Sequence, residues 1–523
     1  MQALSSALSL PLHGVAATRL LEQQTAAGLA PHALMQRAGL ASARLSLALA
    51  PHAQHIWIAC GPGNNGGDGL EAAMHLHQWG KNVTVTWLGA QNQAKVPADA
   101  LASLVRARAA GVPFAKTPPS GFDFAIDALL GIGAAPRLAH AAGQADLLGE
   151  WLALLRATGQ PVLALDIPSG LDASTGADLA PESIATGARP ERAGGRFTLT
   201  FLTLKPGLFT AAGRDLAGQV WWDDLGVAPA PTAAPDAWLL GQDRAGSHNR
   251  ALAAHTSHKG SFGDVAIVGG QSGTDGAIHM SGAALLAGRA ALHEGAGRVF
   301  VALLGQAVLT VDPQQPELMF RSPAALDLKT QVVVCGCGGG EAVAGVLPQI
   351  LSAAPAAVLD ADALNAIARD TQLQTQLHAR RGRAYRTVLT PHPLEAARLL
   401  GSSAATVQAD RLAAAQQLAE EFGCVVVLKG SGTVIAAPGE IPAINATGNA
   451  RLATAGTGDV LAGMVGALLA GGYTAFGAAC TAVFQHGQLA DNWPASHPGQ
   501  VLTASLLAQN HQADLQQEQQ HQR

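Results

Sequence analysis

Short apolar runs alternate with helix-like stretches along most of this 523-residue chain. In the first half the strand-like runs are HIWIAC, VTVTWL, FAIDALL, VLALDI and FTLTFL; in the second half they are DVAIVGG, VFVALL, VVVCG, AVLDAD, TVLTPH and VVVLKG. The stretches between several of them, such as 69–78 and 145–158, predict helices. This alternation predicts α/β domains in which helices cover a parallel sheet and functional sites lie at the carboxyl ends of the strands.

A Pro/Ala-rich stretch, GVAPAPTAAP at 226–235, has no hydrophobic period and is typical of a linker. We therefore expect two domains, over residues 1–227 and 245–515, joined by a linker at 228–244. The chain shows no short internal repeat, which argues against a solenoid.

Composition removes several classes of protein from consideration. Charged residues make up 13% of the chain, aromatic residues 4%, and the net charge is −5. With no basic stripe, these values argue against a nucleic-acid partner. The five cysteines include no CxxC pair, so we expect reduced thiols and a cytoplasmic protein. The amino-terminal segment lacks the basic region of a signal peptide, and Gly471 and Gly472 interrupt the long uncharged run at 460–490, so we expect no membrane partner.

A glycine-rich turn, GPGNNGGDG at 61–69, follows the first strand-like run and opens a helix. Its GxGxxG spacing alone is weak evidence for dinucleotide binding. The glycines and asparagines let backbone N–H groups converge on a phosphate, and the asparagine amides and Asp68 offer oxygen ligands for a hard cation. The alternative is an ordinary tight turn in which Asp68 caps the helix.

Two aspartates each close a strand-like run, Asp127 in DALLGIG and Asp166 in DIPSGLD. In a parallel sheet both carboxylates face one crevice, and Ser169 adds an oxygen beside them. Asp127 alternatively caps the next helix. Asp166 precedes Ile-Pro, away from an obvious cap position, which favours it as the acid/base.

The longest motif of the second half is NATGNARLATAGTGDVLAG at 445–463. Backbone N–H groups at the start of its helix form an anion-binding site. Asp459 is then positioned to take a proton from a hydroxyl group that attacks a γ-phosphate. A helix-cap role for Asp459 is the alternative.

Three further strand ends of the second half carry polar residues. KGSGT at 429–433 indicates a phosphate contact, although it is not a Walker A motif. His392, in TPHPLEAARLL, indicates a substrate contact. Asp360 and Asp362, in DADALN, either hold Mg²⁺ through water or cap the following helix.

The strings GPGNNGGDGLEAAMHL, DALLGIG, VLALDIPSGLDASTG and TLKPGL, with ALMQRAG at 33–39, resemble the NAD(P)H-hydrate epimerase domain over most of residues 15–227. The resemblance implies a Rossmann-like three-layer domain, with Asp166 as the acid/base and a potassium ion at Asn65, Asp127 and Ser169. The implied substrate contacts are Asn64, Asn65, Gly66, Gly67, Asp68, Gly131, Ile132, Gly133, Ala134, Ala135, Pro136, Arg137 and Asp166.

The second-half strings, with HKGSFGDVAIVGG at 258–270, resemble the ADP- or ATP-dependent NAD(P)H-hydrate dehydratase, a ribokinase-like domain, over about residues 245–510. The resemblance implies ADP or ATP with Mg²⁺ as phosphoryl donor and Asp459 as base. The implied substrate contacts are Ala277, Gly338, Gly340, His392 and Asp459, and the implied nucleotide contacts are Lys429, Gly430, Ser431, Gly432, Thr433 and Gly458. One departure is VCGCGGG at 334–340, where Cys337 replaces the proline of the family's usual GPGLG turn and a looser turn is expected.

Together the resemblances imply an enzyme that repairs hydrated NADH and NADPH, small molecules abbreviated NADHX and NADPHX. The first half would interconvert their R and S forms and the second half would dehydrate the S form. We also expect a homo-oligomer, although the sequence does not give the number of copies. The alternatives are a small-molecule kinase of the ribokinase superfamily fused to a nucleotide-binding module, a non-enzymatic nucleotide-binding regulator, and an NAD-dependent dehydrogenase.

Overall fold

The computed structural model describes residues 1–91, 94, 96–133, 147–180, 194–227, 234–246, 254–273, 279–306 and 309–509. The chain divides into two compact units, Met1–Ser5 with Pro11–Ala237 and Ser6–Leu10 with Trp238–Arg523. The expectation of two α/β domains is confirmed. The exact domain borders stay a prediction, and the range expected to be a linker contains a strand, Ala237–Leu239, and a short helix, Gln242–Ala245.

The first unit is built on an eight-stranded sheet with the order β1-β9-β8-β7-β6-β3-β4-β5, in which only β1 and β9 pair antiparallel. Its strands are β1 (Gln2–Ala3), β3 (His55–Cys60), β4 (Asn82–Trp87), β5 (Phe114–Ala115), β6 (Phe124–Ala128), β7 (Val162–Leu165), β8 (Arg196–Phe201) and β9 (Gln219–Asp223); the short strand β2 is Leu10–Leu12. Its helices are α1 (Val15–Ala26), α2 (Ala33–Leu49), α3 (Asn64–Gln78), α4 (Ala98–Ala109), α5 (Leu147–Ala157) and α6 (Gly213–Ala217).

Side chains of β3 alternate between two apolar layers. Ile56 and Ile58 belong to the core cluster that includes residues of α2, α3 and α4. Trp57 and Ala59 belong to the cluster that includes residues of α5. Because successive side chains of a strand point to opposite faces, this pattern gives a sheet covered by helices on both sides. The described residues therefore form three layers.

The strand order of the first sheet reverses between β3 and β6. From β3 the sheet continues through β4 to β5, and from β6 it continues the other way through β7 and β8 to β9. The backbone N–H of Gly61, just after β3, donates to the carbonyl of Ala128 at the end of β6 over 2.9 Å. Such a switch point leaves a crevice at the carboxyl ends of the strands, where α/β proteins bind ligands.

The second unit contains a mixed sheet with the order β13-β12-β11-β14-β15-β16-β17-β18-β19-β10. Its strands are β10 (Ala237–Leu239), β11 (Asp264–Ser272), β12 (Arg298–Gly305), β13 (Met319–Phe320), β14 (Val332–Cys335), β15 (Ala356–Leu359), β16 (Arg386–Leu389), β17 (Val425–Leu428), β18 (Thr433–Ala436) and β19 (Ala443–Asn445). Its helices are α7 (Gln242–Ala245), α8 (Ser281–His293), α9 (Val343–Ala353), α10 (Asp362–Arg369), α11 (Thr371–Gly382), α12 (Pro393–Leu399), α13 (Ala404–Ala409), α14 (Arg411–Phe422), α15 (Thr457–Ala470), α16 (Ala475–Ser496) and α17 (Ala504–Gln509). Only β18 pairs antiparallel, with β17 and β19.

The long uncharged run at 460–490 forms parts of α15 and α16, separated by Gly471 and Gly472. Most of its apolar side chains belong to the main core cluster of the second unit. No helix in the described part of the chain combines the length and the apolar content needed to cross a membrane. The five cysteines are all buried and free.

Candidate active sites

A cavity of about 530 Å³ opens at the switch point of the first unit. Seven of the residues that the sequence assigns to the substrate line it: Asn64, Asn65, Asp68, Gly131, Ile132, Gly133 and Asp166. Gly66 and Gly67 are not in its lining. A Cβ on Gly66 would lie 1.9 Å from the Gly61 carbonyl oxygen, so this glycine permits close backbone packing. Ala134, Ala135, Pro136 and Arg137 fall outside the described residues.

The first turn of α3 presents backbone N–H groups at this cavity. Gly63 precedes the helix in an extended conformation and makes no side-chain cap hydrogen bond. Asp68 therefore does not serve as the helix cap that the sequence left as an alternative. Burial raises the pKa of Asp68 well above its usual value, and the charges of Asp166 and Glu22 raise it further. Negative charge on Asp68 is therefore disfavoured beside this helix start.

Asn65, Asp127 and Ser169 converge around the backbone of Leu130. Asn65 Nδ2 donates to the Leu130 carbonyl over 3.0 Å, while Asn65 Oδ1 is buried and has no hydrogen-bond partner. Ser169 Oγ accepts from the Leu130 N–H over 2.9 Å and lies 2.6 Å from Asp127 Oδ1, to which it donates. An unsatisfied buried oxygen costs about 1–3 kcal/mol. The oxygen-only donor set and the orphaned amide oxygen fit a hard cation such as potassium.

Asp166 is held by a buried lysine that the sequence analysis did not assign. Lys205 Nζ lies 2.5 Å from Asp166 Oδ1 and also donates to Thr200 Oγ1 over 2.9 Å and to the Phe201 carbonyl over 2.8 Å. These three acceptors satisfy an ammonium group that is fully buried. Asp166 itself has φ of 63°, a left-handed conformation that costs about 1–3 kcal/mol in a residue with a side chain. The carboxylate is thus fixed at the cavity by both its backbone and its ion pair.

In the second unit, Asp459 lies in the first turn of α15, which begins after Gly456. Gly456 has φ of 92° and no side chain caps the helix, so Asp459 is not the helix cap that the sequence left open. Burial, followed by the charge of Asp360, raises the pKa of Asp459 to about 6, against the lowering effects of Cys337 and Lys429. A carboxylate with a pKa near neutral is suited to accept a proton.

The groups around Asp459 come from several strand ends. Lys429 Nζ lies 2.7 Å from Asp360 Oδ1, and a Cβ on Gly458 would lie 3.3 Å from the same nitrogen. The ligand atoms of Cys337, Asp360 and Asp459 all lie within 4.8 Å of one another. Burial lowers the pKa of Lys429, but Asp360 and Glu395 outweigh it, so the pKa is raised and the side chain stays charged. The sequence noted Cys337 only as a departure from the family pattern, whereas the structure places its thiol beside Asp459.

The predicted nucleotide-binding residues 429–433 form the turn between β17 and β18. Gly430 and Gly432 adopt φ of 142° and 65°. Arg411 Nη2 donates to the carbonyls of Leu428 and Lys429 over 3.1 and 3.2 Å. This buried arginine, which sequence reasoning missed, holds the turn in place. The sequence gives little indication of this role for Arg411, because the residue lies in an ordinary amphipathic helix.

His392 has a local structural role. Its Nδ1 accepts hydrogen bonds from the backbone N–H groups of Leu394 and Glu395 over 3.1 and 3.3 Å, and so caps α12. Burial is the largest of the effects that lower the pKa of His392. The ring is still partly exposed, although its Nε2 lies 3.2 Å from Glu395 Oε1, and a substrate contact stays a prediction.

The turn at 334–340 is firmly held rather than loose. The Cys337 carbonyl accepts from the Gly270 N–H over 2.9 Å, and the Gly338 carbonyl accepts from the Gln271 N–H over 2.7 Å. Asp362 Oδ2 accepts from the Gly340 N–H over 2.8 Å, while no side chain caps α10. The cap alternative for Asp360 and Asp362 is therefore wrong. Ala277 lies outside the described residues.

Comparisons with known proteins cover both units. One family model, described as NAD(P)H-hydrate dehydratase, matches residues 265–512, and another, described as YjeF-related protein N-terminus, matches residues 31–207. The bifunctional NAD(P)H-hydrate repair enzyme Nnr of Escherichia coli (strain K12) is 36% identical over 485 residues, which cover 89% of this chain and 85% of that protein. The enzyme of the same name from Coxiella burnetii is 35% identical over 475 residues, which cover 89% of this chain and 91% of that protein.

Two further comparisons concern the second unit. The ADP-dependent (S)-NAD(P)H-hydrate dehydratase of Neisseria meningitidis serogroup B is 44% identical over 245 residues, 46% of this chain and 79% of that protein. Among solved structures, the ADP/ATP-dependent NAD(P)H-hydrate dehydratase from Bacillus subtilis, co-crystallized with ATP/Mg²⁺, has 30% identity and a TM-score of 0.44, covering 52% of this chain and 95% of that chain.

Proposed function

The chain belongs to the family of bifunctional NAD(P)H-hydrate repair enzymes, and we propose from this that each unit carries one of two successive repair reactions. The first unit interconverts the R and S forms of hydrated NADH and NADPH. The second unit dehydrates the S form at the expense of ADP or ATP. The observation that carries the proposal is that each unit has its own carboxylate, Asp166 or Asp459, at the carboxyl end of its sheet.

Epimerisation requires the hydroxyl group at C6 of the reduced nicotinamide ring to leave and return, or the ring to open and close. Either route moves a proton, and the Asp166 carboxylate is the group that the first cavity offers for it. Lys205 keeps this carboxylate in one orientation. Asn65, Asp127 and Ser169 would hold the potassium ion, which would supply positive charge for an anionic substrate when bound.

Dehydration is difficult because hydroxide is a poor leaving group. Asp459 accepts the proton of the C6 hydroxyl while that oxygen attacks the terminal phosphoryl group of the nucleotide. The free N–H groups at the start of α15 and the Lys429 ammonium stabilise the charge on the transferred group. The lone pair of the ring nitrogen then expels phosphate from C6, and loss of a proton from C5 to solvent completes the double bond of NADH or NADPH.

Incubating the full chain with a mixture of R- and S-hydrated NADH tests this function. With ADP or ATP and Mg²⁺, absorbance at the reduced-nicotinamide band should recover for the whole mixture, because R is converted to S as S is consumed. Recovery of only the S fraction would contradict the epimerase assignment, and no recovery with either nucleotide would contradict the dehydratase assignment. Parallel reactions with ADP and ATP identify the donor.

The potassium site has a test that does not depend on turnover. Replacing potassium by lithium should lower the melting temperature of the full chain and weaken substrate affinity for the first unit, because Asn65 Oδ1 would lose its partner. For an Asn65→Leu variant, the melting temperature and the substrate affinity should differ little between potassium and lithium. Identical melting and affinity of the wild type in both salts would argue against this site.

The domain borders, 1–227 and 245–515, are testable with fragments cut near 229 and 237. The first fragment should epimerise and the second should dehydrate. We expect the second to melt earlier, because it lacks Ser9, whose N–H and Oγ both bond Asp243 Oδ1 over 2.7 Å. Loss of both activities in soluble fragments would contradict the two-domain proposal, and light scattering of the full chain tests the expected homo-oligomer.

A further inference from the structure

The described lining of the first cavity carries more acidic than basic side chains. The carboxylates are Glu22, Asp68, Asp99 and Asp166, and the permanent cations are Arg19 and Lys205. Lys205 is already bound to Asp166, and His32 is bound to Asp99 over 2.5 Å. The substrates proposed for this unit carry a pyrophosphate. Besides the potassium ion proposed at Asn65, Asp127 and Ser169, the side chain best suited to such an anion is a cation that is not already paired.

Arg19 is such a cation. It lies on α1 with an exposed side chain, and within the described residues no hydrogen bond or ion pair at salt-bridge distance engages its guanidinium. Its charge acts on Glu22, three residues later on the same helix, and lowers the pKa of that carboxyl group against other effects. Burial raises the pKa of Glu22, which weakens the competition of that carboxyl group for the guanidinium.

The guanidinium lies over the turn that follows β6. A Cβ on Gly133 would lie 2.9 Å from Arg19 Nη2. At the other end of this turn, a Cβ on Gly131 would lie 3.9 Å from Asp166 Oδ2. The Cα atoms of Gly131 and Gly133 lie at most about 7 Å apart, so the guanidinium and the carboxylate lie at the two ends of one short turn. In a reduced nicotinamide nucleotide, one ribose separates the ring from the first phosphate, so a turn of this length can lie alongside that part of the substrate.

We propose that Arg19 binds the phosphate attached to the nicotinamide ribose while the ring lies at Asp166. The proposal rests on the epimerase function proposed for the first unit. The planar guanidinium donates two parallel N–H groups to a phosphate, which fixes both its position and its orientation. The second phosphate and the adenosine half of the dinucleotide extend away from this contact, so Arg19 acts alike on hydrated NADH and NADPH.

The test compares Arg19→Gln with Arg44→Gln, which removes an exposed arginine of α2 that does not line the cavity. The substrates are hydrated NADH, hydrated NADPH, hydrated reduced nicotinamide mononucleotide and the hydrated reduced riboside, which has no phosphate. For Arg19→Gln, KM should rise about tenfold to a hundredfold for the three phosphorylated substrates. The value of kcat should change little, and KM for the riboside should not rise. Arg44→Gln should match the wild type throughout.

Three outcomes would overturn the assignment. The first is an equal rise in KM with the riboside. The second is a rise in KM confined to hydrated NADPH, and the third is an unchanged KM with the mononucleotide. An Arg19→Lys variant, which keeps the charge but not the bidentate geometry, should recover part of the KM effect, whereas a purely structural role predicts that melting temperature and kcat fall together.

Direct binding separates this proposal from the proposed function. Nicotinamide mononucleotide should bind Arg19→Gln more weakly than the wild type in a titration calorimeter, whether or not the unit epimerises anything. Equal binding to both proteins would overturn the Arg19 assignment. A wild type that binds the mononucleotide through Arg19 but leaves the R and S hydrates unchanged would instead contradict the epimerase function.

Discussion

Asp166 in the first unit contacts a buried ammonium at 2.5 Å, whereas the lysine at the second site, Lys429, is paired with Asp360 rather than with Asp459. Burial, with Asp360, raises the pKa of Asp459 to about 6. The orientation of Asp166 is thus set by an opposite charge, whereas the pKa of Asp459 is raised mainly by burial. If both carboxylates move the proton of a ring hydroxyl, as proposed, the two units approach one task by different routes.

The two units also place backbone strain differently. In the first unit the catalytic candidate Asp166 itself adopts a left-handed conformation, with φ of 63°. In the second unit the positive-φ residues nearest Asp459 are glycines, namely Gly336, Gly338, Gly340 and Gly456, whereas Ala361, between Asp360 and Asp362, is a residue with a side chain that also has a positive φ, 48°. Glycine adopts such conformations without steric cost, so the second site can keep Asp459 in regular helical geometry. A substitution of Asp166 therefore changes backbone energetics as well as chemistry.

The largest expected effect is on the second site. Asp459→Asn should lower dehydration of S-hydrate by about 10²–10⁴-fold, because the amide cannot accept the hydroxyl proton. Nucleotide binding should persist, since the N–H groups at the start of α15 and Lys429 remain. Turnover of purified S-hydrate and calorimetric titration with ADP and ATP measure the two properties, and epimerisation serves as the internal control.

Thermal stability distinguishes this role of Asp459 from a structural one. Folding raises its pKa from 3.8 to about 6, so the folded state binds more protons than the unfolded state between those values. Its contribution to stability is greatest at low pH and is lost as the pH rises through about 6. Asp459→Asn should therefore melt no earlier than the wild type at pH 7. A variant that melts earlier but keeps its rate per folded molecule would remove the catalytic assignment.

The second-largest expected effect is on the first unit: Asp166→Asn should lower epimerisation and leave dehydration unchanged. Asp166→Asn should lower epimerisation by more than tenfold, toward the range of about 10²–10⁴ that general bases contribute. Dehydration of purified S-hydrate should match the wild type, because Asp459, the base proposed for the second unit, is unchanged. The rate of R-to-S conversion measured with the second unit saturated with ADP or ATP gives the epimerase rate alone. Epimerisation within tenfold of the wild type would exclude Asp166 as the base.

Lys429→Ala is expected to act on affinity rather than on the base. It removes a charged contact for the nucleotide phosphates and leaves the buried Asp360 without its partner. Nucleotide affinity should fall about tenfold to a hundredfold, with a smaller change in kcat at saturating nucleotide. The exposed Lys329, in the same unit, provides the control substitution Lys329→Ala. An unchanged Kd with a large loss of kcat would instead place Lys429 in the chemical step.

Strand-end motifs explain how much of these sites the sequence could predict. Asn65, Asp127 and Asp166 each follow an apolar run, and parallel strands bring such ends to one crevice, so their proximity follows from the pattern. Lys205 pairs with Asp166 across 39 residues, and no periodicity indicates that contact. The same holds for Arg19 over the turn at Gly133. Contacts of this kind depend on packing between elements rather than on the order of residues within one.

The smallest expected effect is a difference in pH dependence between the two activities. Because Asp459 must be ionised to accept a proton and its pKa is raised to about 6, dehydration should fall about tenfold for each pH unit below that value. The first unit does not use Asp459, so epimerisation should not share this limb. Initial kcat/KM values for each reaction between pH 5 and 8, taken at temperatures where the fold is intact, measure the two profiles separately. Superimposable profiles would assign the titration to the substrate or to the whole protein. A fall in rate near pH 6 that occurs only in dehydration would instead support the ionisation of Asp459, whose pKa is raised mainly by burial.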